Sequence, residues 1–159
     1  MPDPLARWSR RRFIAGTTTA AITAVAGCST VVNWIADKAF KDVNIINELN
    51  RSVSGRITVT DPDRVVRLDE MFELPSRDGS SNQEDGNIEF YPDIWTTTGS
   101  YEVTIALRDT EIDGVNKSSE TVTLANTDEE MLLVSLGASE VAAPIDFRVG
   151  ESFTDIVSD

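Results

Sequence analysis

The chain is 159 residues long and carries 27 acidic against 14 basic residues, a formal net charge of −13 at pH 7, with no histidine and one cysteine. That balance argues against a nucleic-acid binder, because neutralising phosphates requires a basic patch. Without histidine there is no Ser-His-Asp or Cys-His site and the commonest zinc and copper ligand is missing, and one cysteine cannot build a disulfide framework.

The N-terminal segment reads as an address rather than as part of a fold. Arg7, Arg10, Arg11 and Arg12 stand against a single acid, Asp3, and a threonine-interrupted apolar stretch follows over residues 15–25. A membrane-spanning helix needs roughly 20 mostly apolar residues; this stretch is too short and too polar for one. The run Ser9-Arg10-Arg11-Arg12-Phe13-Ile14 resembles a twin-arginine export signal, in which the receptor reads the arginine pair and the apolar residues after the spacer. The match puts Arg10, Arg11 and Phe13 in the recognised positions; Ala15 stands where the family often has lysine. Val25-Ala26-Gly27-Cys28 is similar to a lipoprotein signal-peptidase box, with valine where leucine is frequent. The resemblance implies cleavage before Cys28 and a two-chain lipid on its sulfur, two chains being what stable anchoring needs.

Removal of residues 1–27 takes away four arginines and one aspartate, leaving ten basic against 26 acidic residues and a net charge of −16. Only Lys38, Lys41 and Lys117 remain as lysines. Self-repulsion of this size is screened in brine, where the Debye length falls to about 3 Å at 1 M salt. Together with the signal, this composition resembles the exported lipoproteins of extremely halophilic archaea. The plainer alternative is an ordinary acidic surface domain.

Residues 29–41 place Val31, Val32, Trp34, Ile35, Ala39 and Phe40 near helical spacing. The pattern predicts a short amphipathic helix that lies against the bilayer interface or packs onto the domain.

From residue 42 the period changes to two. Apolar runs at 43–49, 65–68, 88–90, 122–124 and 132–136 suit strands, and clean alternation marks Ile57-Val59, Tyr101-Val103-Ile105-Leu107 and Ile145-Phe147-Val149. Asp61-Pro62-Asp63-Arg64, Thr98-Gly99-Ser100, Asp113-Gly114 and Asn126-Thr127-Asp128 are turn signals between them. Residues 78–87 are polar throughout and predict a long loop. Residues 152–159 are expected to fray. Short strands at this spacing, without helical stretches between them, indicate an all-β antiparallel sandwich over 42–151. Segments 56–63 and 99–105 resemble the small immunoglobulin-like domains of archaeal surface proteins, in which a glycine, an aromatic residue and an alternating strand recur. This resemblance brings no functional residues with it, and the Cys–Trp–Cys signature of antibody domains is missing.

Two constellations offer chemistry. Asp109, Glu111 and Asp113 supply alternating oxygens on a loop, as do Asp78, Ser80, Asn82 and Glu84, and calcium takes six to eight oxygens. Neither has the EF-hand arrangement, and an acid-rich solvated loop is the simpler reading. Tyr91 and Trp95, in Phe90-Tyr91-Pro92-Asp93-Ile94-Trp95, would stack on a sugar or anchor a protein partner if exposed; otherwise they cap the core. Paired carboxylates leave a small hydrolase as a remote third class. The expectation is a non-catalytic, lipid-anchored binding or accessory module on the outer face of the cell membrane, using no cofactor beyond its lipid, exported by the twin-arginine machinery and meeting a surface protein or glycan. The alternative is a structural or assembly subunit of a membrane complex.

Overall fold

A computed structural model describes residues 42–78, 86–152 and 155–156. Arg10, Arg11, Phe13, Cys28, the amphipathic segment 29–41, and Ser80, Asn82 and Glu84 lie outside the described residues. Within them the chain forms eight strands: β1 (Val43–Asn47), β2 (Val53–Thr60), β3 (Val66–Leu74), β4 (Ile88–Tyr91), β5 (Gly99–Arg108), β6 (Lys117–Leu124), β7 (Met131–Leu136) and β8 (Ile145–Gly150). They build two four-stranded sheets, β4-β1-β7-β8 and β3-β2-β5-β6, that face each other as a sandwich.

Alternation decides the inner face. Val53, Ile57 and Val59 of β2 and Tyr101, Val103 and Ile105 of β5 point inward and are buried, while their neighbours in sequence are half-buried or exposed. The first sheet contributes Val43, Ile45, Leu132, Val134, Leu136 and Ile145 to the same core. Strands β3 and β6 extend well beyond the apolar runs at 65–68 and 122–124. Each is an edge strand, and its alternation is broken by Glu70 and Glu120, which hold inward register positions yet stay exposed at the rim. Charge at an edge also discourages pairing with another chain.

The sheets are mostly antiparallel, but β1 pairs with β7 in parallel, Val43 opposite Leu132 through Asn47 opposite Leu136. Parallel neighbours require a long crossover, and here the chain runs through the whole second sheet between them. A second departure is at the C-terminal end. The tail is tied down at residues 155–156 instead of fraying there: the Ile156 amide donates to the Ser152 carbonyl, Arg148 donates to the Ile156 carbonyl at 2.9 Å, and the Ile156 side chain is buried. It lies over Gly150, where a Cβ would come within 2.7 Å of Ile156 Cγ1.

At the end of the sandwich where β1 begins, the Asp42 carboxylate accepts from the Ile94 and Trp95 amides at 2.7 and 2.9 Å. Tyr101 sits beneath them with its ring fully buried. Its hydroxyl donates to the Thr97 carbonyl at 2.8 Å and accepts from the Thr96 and Thr97 amides. One phenol thus satisfies three backbone groups of the β4–β5 connection, groups that would be costly to bury unpaired.

Candidate functional site

Loops at the opposite end of the sandwich surround a cleft of about 260 Å³. Its walls come from the β1–β2 turn (Leu49, Arg51), the β5–β6 hairpin (Ile112, Asp113) and the β7–β8 loop (Gly137 to Pro144). Each wall is held by identifiable bonds.

Asn47, fully buried at the end of β1, organises the first. Its side-chain oxygen accepts from the Leu49 amide at 3.0 Å, and its Nδ2 donates to the Arg51 and Pro75 carbonyls, each at 2.8 Å. Its own carbonyl accepts from Asn87 Nδ2 at 2.7 Å. One residue, through its side-chain amide and its backbone carbonyl, therefore ties the β1–β2 turn to the end of β3 and the start of β4. The second wall is a two-residue hairpin. Ile112 and Val115 exchange backbone bonds, and Asp113 and Gly114 both have positive φ, 51° and 82°, the conformation that Asp-Gly favours in such turns. Arg51 reaches across and donates to the Glu111 carbonyl at 2.6 Å. The third wall closes through the Gly137 amide, which donates to the Pro144 carbonyl at 2.9 Å. Gly137 has φ 74°, and a Cβ there would run into the Leu49 side chain, so the close approach of the two walls depends on glycine.

Most residues around the cleft are small or apolar, but the surface it presents is more polar than apolar, with Arg51, Asp113 and Ser139 as its polar side chains. Its volume falls below the roughly 300–1,000 Å³ of enclosed small-molecule sites. Beside it, burial pushes the Glu48 carboxyl above its ordinary pKa; Arg77 opposes that shift and Glu140 adds to it.

The structure places the residues singled out from sequence as follows. Tyr91 and Trp95 both lie in the core, at 9% and 8% exposure, and so present no open stacking platform. Trp95 packs edge-on to Tyr101 with ring centroids 4.8 Å apart and donates through its indole N–H to the Glu130 carbonyl at 3.1 Å. Trp95 caps the sandwich because Asp42 holds the chain at Ile94 and Trp95 inward, and Tyr91 is buried by its inward register on β4 opposite Val43. Asp109, Glu111 and Asp113 are exposed on the β5–β6 connection. Asp113 lines the cleft, and Glu111 contributes its carbonyl to Arg51. Among the described residues no three Cys, Asp or Glu groups come together in a way that would hold a metal ion. Also among the described residues, no helix is long and apolar enough to cross a membrane.

The roles of Asn47 and Gly137 are not evident from the sequence. An asparagine ending an apolar run and a glycine just after one were the available signals, but neither says which distant carbonyl or side chain it will meet. No known protein family matches the chain, and no curated protein matches its sequence.

Proposed function

We propose that the chain is an exported lipoprotein, anchored to the outer face of the cell membrane by a lipid on Cys28, whose immunoglobulin-like sandwich serves as a non-catalytic binding or accessory module. The observation that carries this reading is the order of signals in one short segment. The arginine pair with Phe13-Ile14, a weakly apolar stretch and Val25-Ala26-Gly27 lead to the only cysteine of the chain. The immunoglobulin-like assignment draws support from Tyr101, at the start of a strand with its hydroxyl bonded to backbone a few residues upstream, as in the tyrosine corner of such domains. The loop-end cleft beside Leu49, Arg51 and Gly137 is the contact surface we assign to a surface protein or glycan.

Replacing Cys28 by serine tests the anchor. The variant is expected to leave the membrane fraction or to accumulate as uncleaved precursor; a variant still membrane-bound and fully processed would overturn the reading. The acidic composition adds a test of habitat. The melting temperature should rise steadily from millimolar to molar salt as the −16 charge is screened, and a melting temperature indifferent to salt would count against adaptation to brine. A second reading, a structural subunit of a membrane complex, is favoured by the apolar character of residues 29–41. Cross-linking and co-purification from native membranes at molar salt separates the two: one partner in fixed proportion identifies a subunit, and no partner identifies a free-standing module.

A further inference from the structure

The outer face of the first sheet is apolar and withdrawn from solvent. Ile46 of β1, Ile88 of β4 and Leu133 of β7 point away from the sandwich core and are buried, with Phe90 and Met131 packed beside them. Asn44, on the same face, is fully buried. Among the described residues, Ile156 is the one member of this cluster that comes from outside the sheet. It sits over Gly150 and is held by Arg148, both on β8, so it covers one flank. Ile46 and Ile88 are each 7% exposed, so the half of the face formed by β1 and β4 is covered as well.

We propose that residues 29–41 fold back as an amphipathic helix onto this face and complete a three-layer structure. Three observations point to this occupant. First, the chain reaches β1 through Asp42, whose carboxylate is fixed to Ile94 and Trp95 and whose carbonyl accepts from the Leu132 amide at 2.8 Å. Residue 41 therefore emerges at the end of the second strand of the sheet. The inner face there is filled by the second sheet, which leaves the outer face for a segment that turns back. Second, the length suffices. Thirteen helical residues measure about 20 Å, and four strands span about 14 Å between their outer axes. Third, the composition agrees. Val31, Val32, Trp34, Ile35, Ala39 and Phe40 form an apolar set within that segment, whereas residues 79–85, Gly-Ser-Ser-Asn-Gln-Glu-Asp, have no apolar side chain to offer.

Docking does not depend on the lipid. With a lipid on Cys28, it would hold the sandwich close against the bilayer on its first-sheet side in place of a free tether.

Trypsin cleavage after Lys38 and Lys41 of the intact chain, at molar salt and without lipid, tests the proposal. Docking predicts cleavage at these bonds about tenfold or more slower than in Trp34→Asp and Phe90→Asp, since a packed segment is cut only when it opens. Protection should be the same at all protein concentrations. Equal cleavage of wild type and both variants overturns the proposal. So does protection that develops only with phosphatidylglycerol–phosphatidylcholine vesicles, which makes the bilayer the occupant, or protection that fades on dilution, which makes it a second copy of the chain. Should Phe90→Asp lose its cooperative melt, Trp34→Asp decides alone, because it leaves every described residue unchanged.

Discussion

On the second sheet, Arg56, Thr58, Glu102, Thr104, Ser119 and Thr121 face outward, and the face is dressed with an Arg56–Asp69 ion pair at 2.6 Å and a Thr104–Ser119 hydroxyl contact at 2.7 Å. On the first sheet the equivalent face carries Ile46, Ile88 and Leu133. The two sheets share one core and the same pleat, yet only the second shows the apolar-in, polar-out alternation of a sheet wetted on one side. Strands β1 and β7 are buried along almost their whole length, as strands in a middle layer are. The difference teaches that the first sheet is built to be covered on both faces, and the second on one.

Substitutions on the two faces should part accordingly. The largest effect is expected at Leu133, where alanine should cost about 2–5 kcal/mol in denaturant melts, the range for truncating a buried leucine. A cost near zero would mean that the first sheet's outer face is not a second core. On the face both sheets share, Tyr101→Phe keeps the ring but strips three backbone groups of their partner. It should cost about 1–3 kcal/mol and raise amide exchange at Thr96 and Thr97 specifically.

A smaller effect concerns pH. The Val65 amide is the main cause holding the Asp61 carboxyl below its ordinary pKa, with Arg67 at 2.6 Å reinforcing it against the opposing pull of burial. A carboxylate lowered on folding contributes stability above its unfolded pKa of about 4 and loses it as pH falls through the folded value. Wild-type protein should therefore show an acid-side loss of stability that Asp61→Asn lacks, measured as melting temperature against pH. Glu48 works in the opposite sense: its raised pKa means stability present below the unfolded value and lost as pH rises through the folded one. The smallest effect is expected on the wet face, where Thr104→Ala should stay within about 0.5 kcal/mol of wild type. A cost comparable with Leu133→Ala would erase the contrast between the faces.

The strands were legible because period-two alternation is a local property: Tyr101, Val103, Ile105 and Leu107 declare an inner face without reference to any partner. The Asp113-Gly114 turn was legible for the same reason, since positive φ suits those two residues wherever they stand. The edge strands were read too short, because a rim position tolerates Glu70 or Glu120 without breaking the strand. Tyr91 and Trp95 left two readings open in the sequence; the inward register of Tyr91 opposite Val43 and the Asp42 carboxylate bonded at Ile94 and Trp95 closed them. The cleft was not legible at all. It depends on Asn47 meeting carbonyls four and 28 residues away and on Gly137 meeting Leu49.

By itself the sequence determined the all-β class, the approximate places of the strands and the acidic balance, because each follows from side-chain pattern over a few residues or from simple counting. Only the tertiary structure decided that β1 lies parallel to β7, that these two strands are buried on both faces, that Ile156 is bound, and where the loops meet to form a cleft. Those outcomes rest on contacts between residues distant in the chain, and a hydrophobic run such as Val43–Asn47 has the same letters whether one of its faces is covered or two.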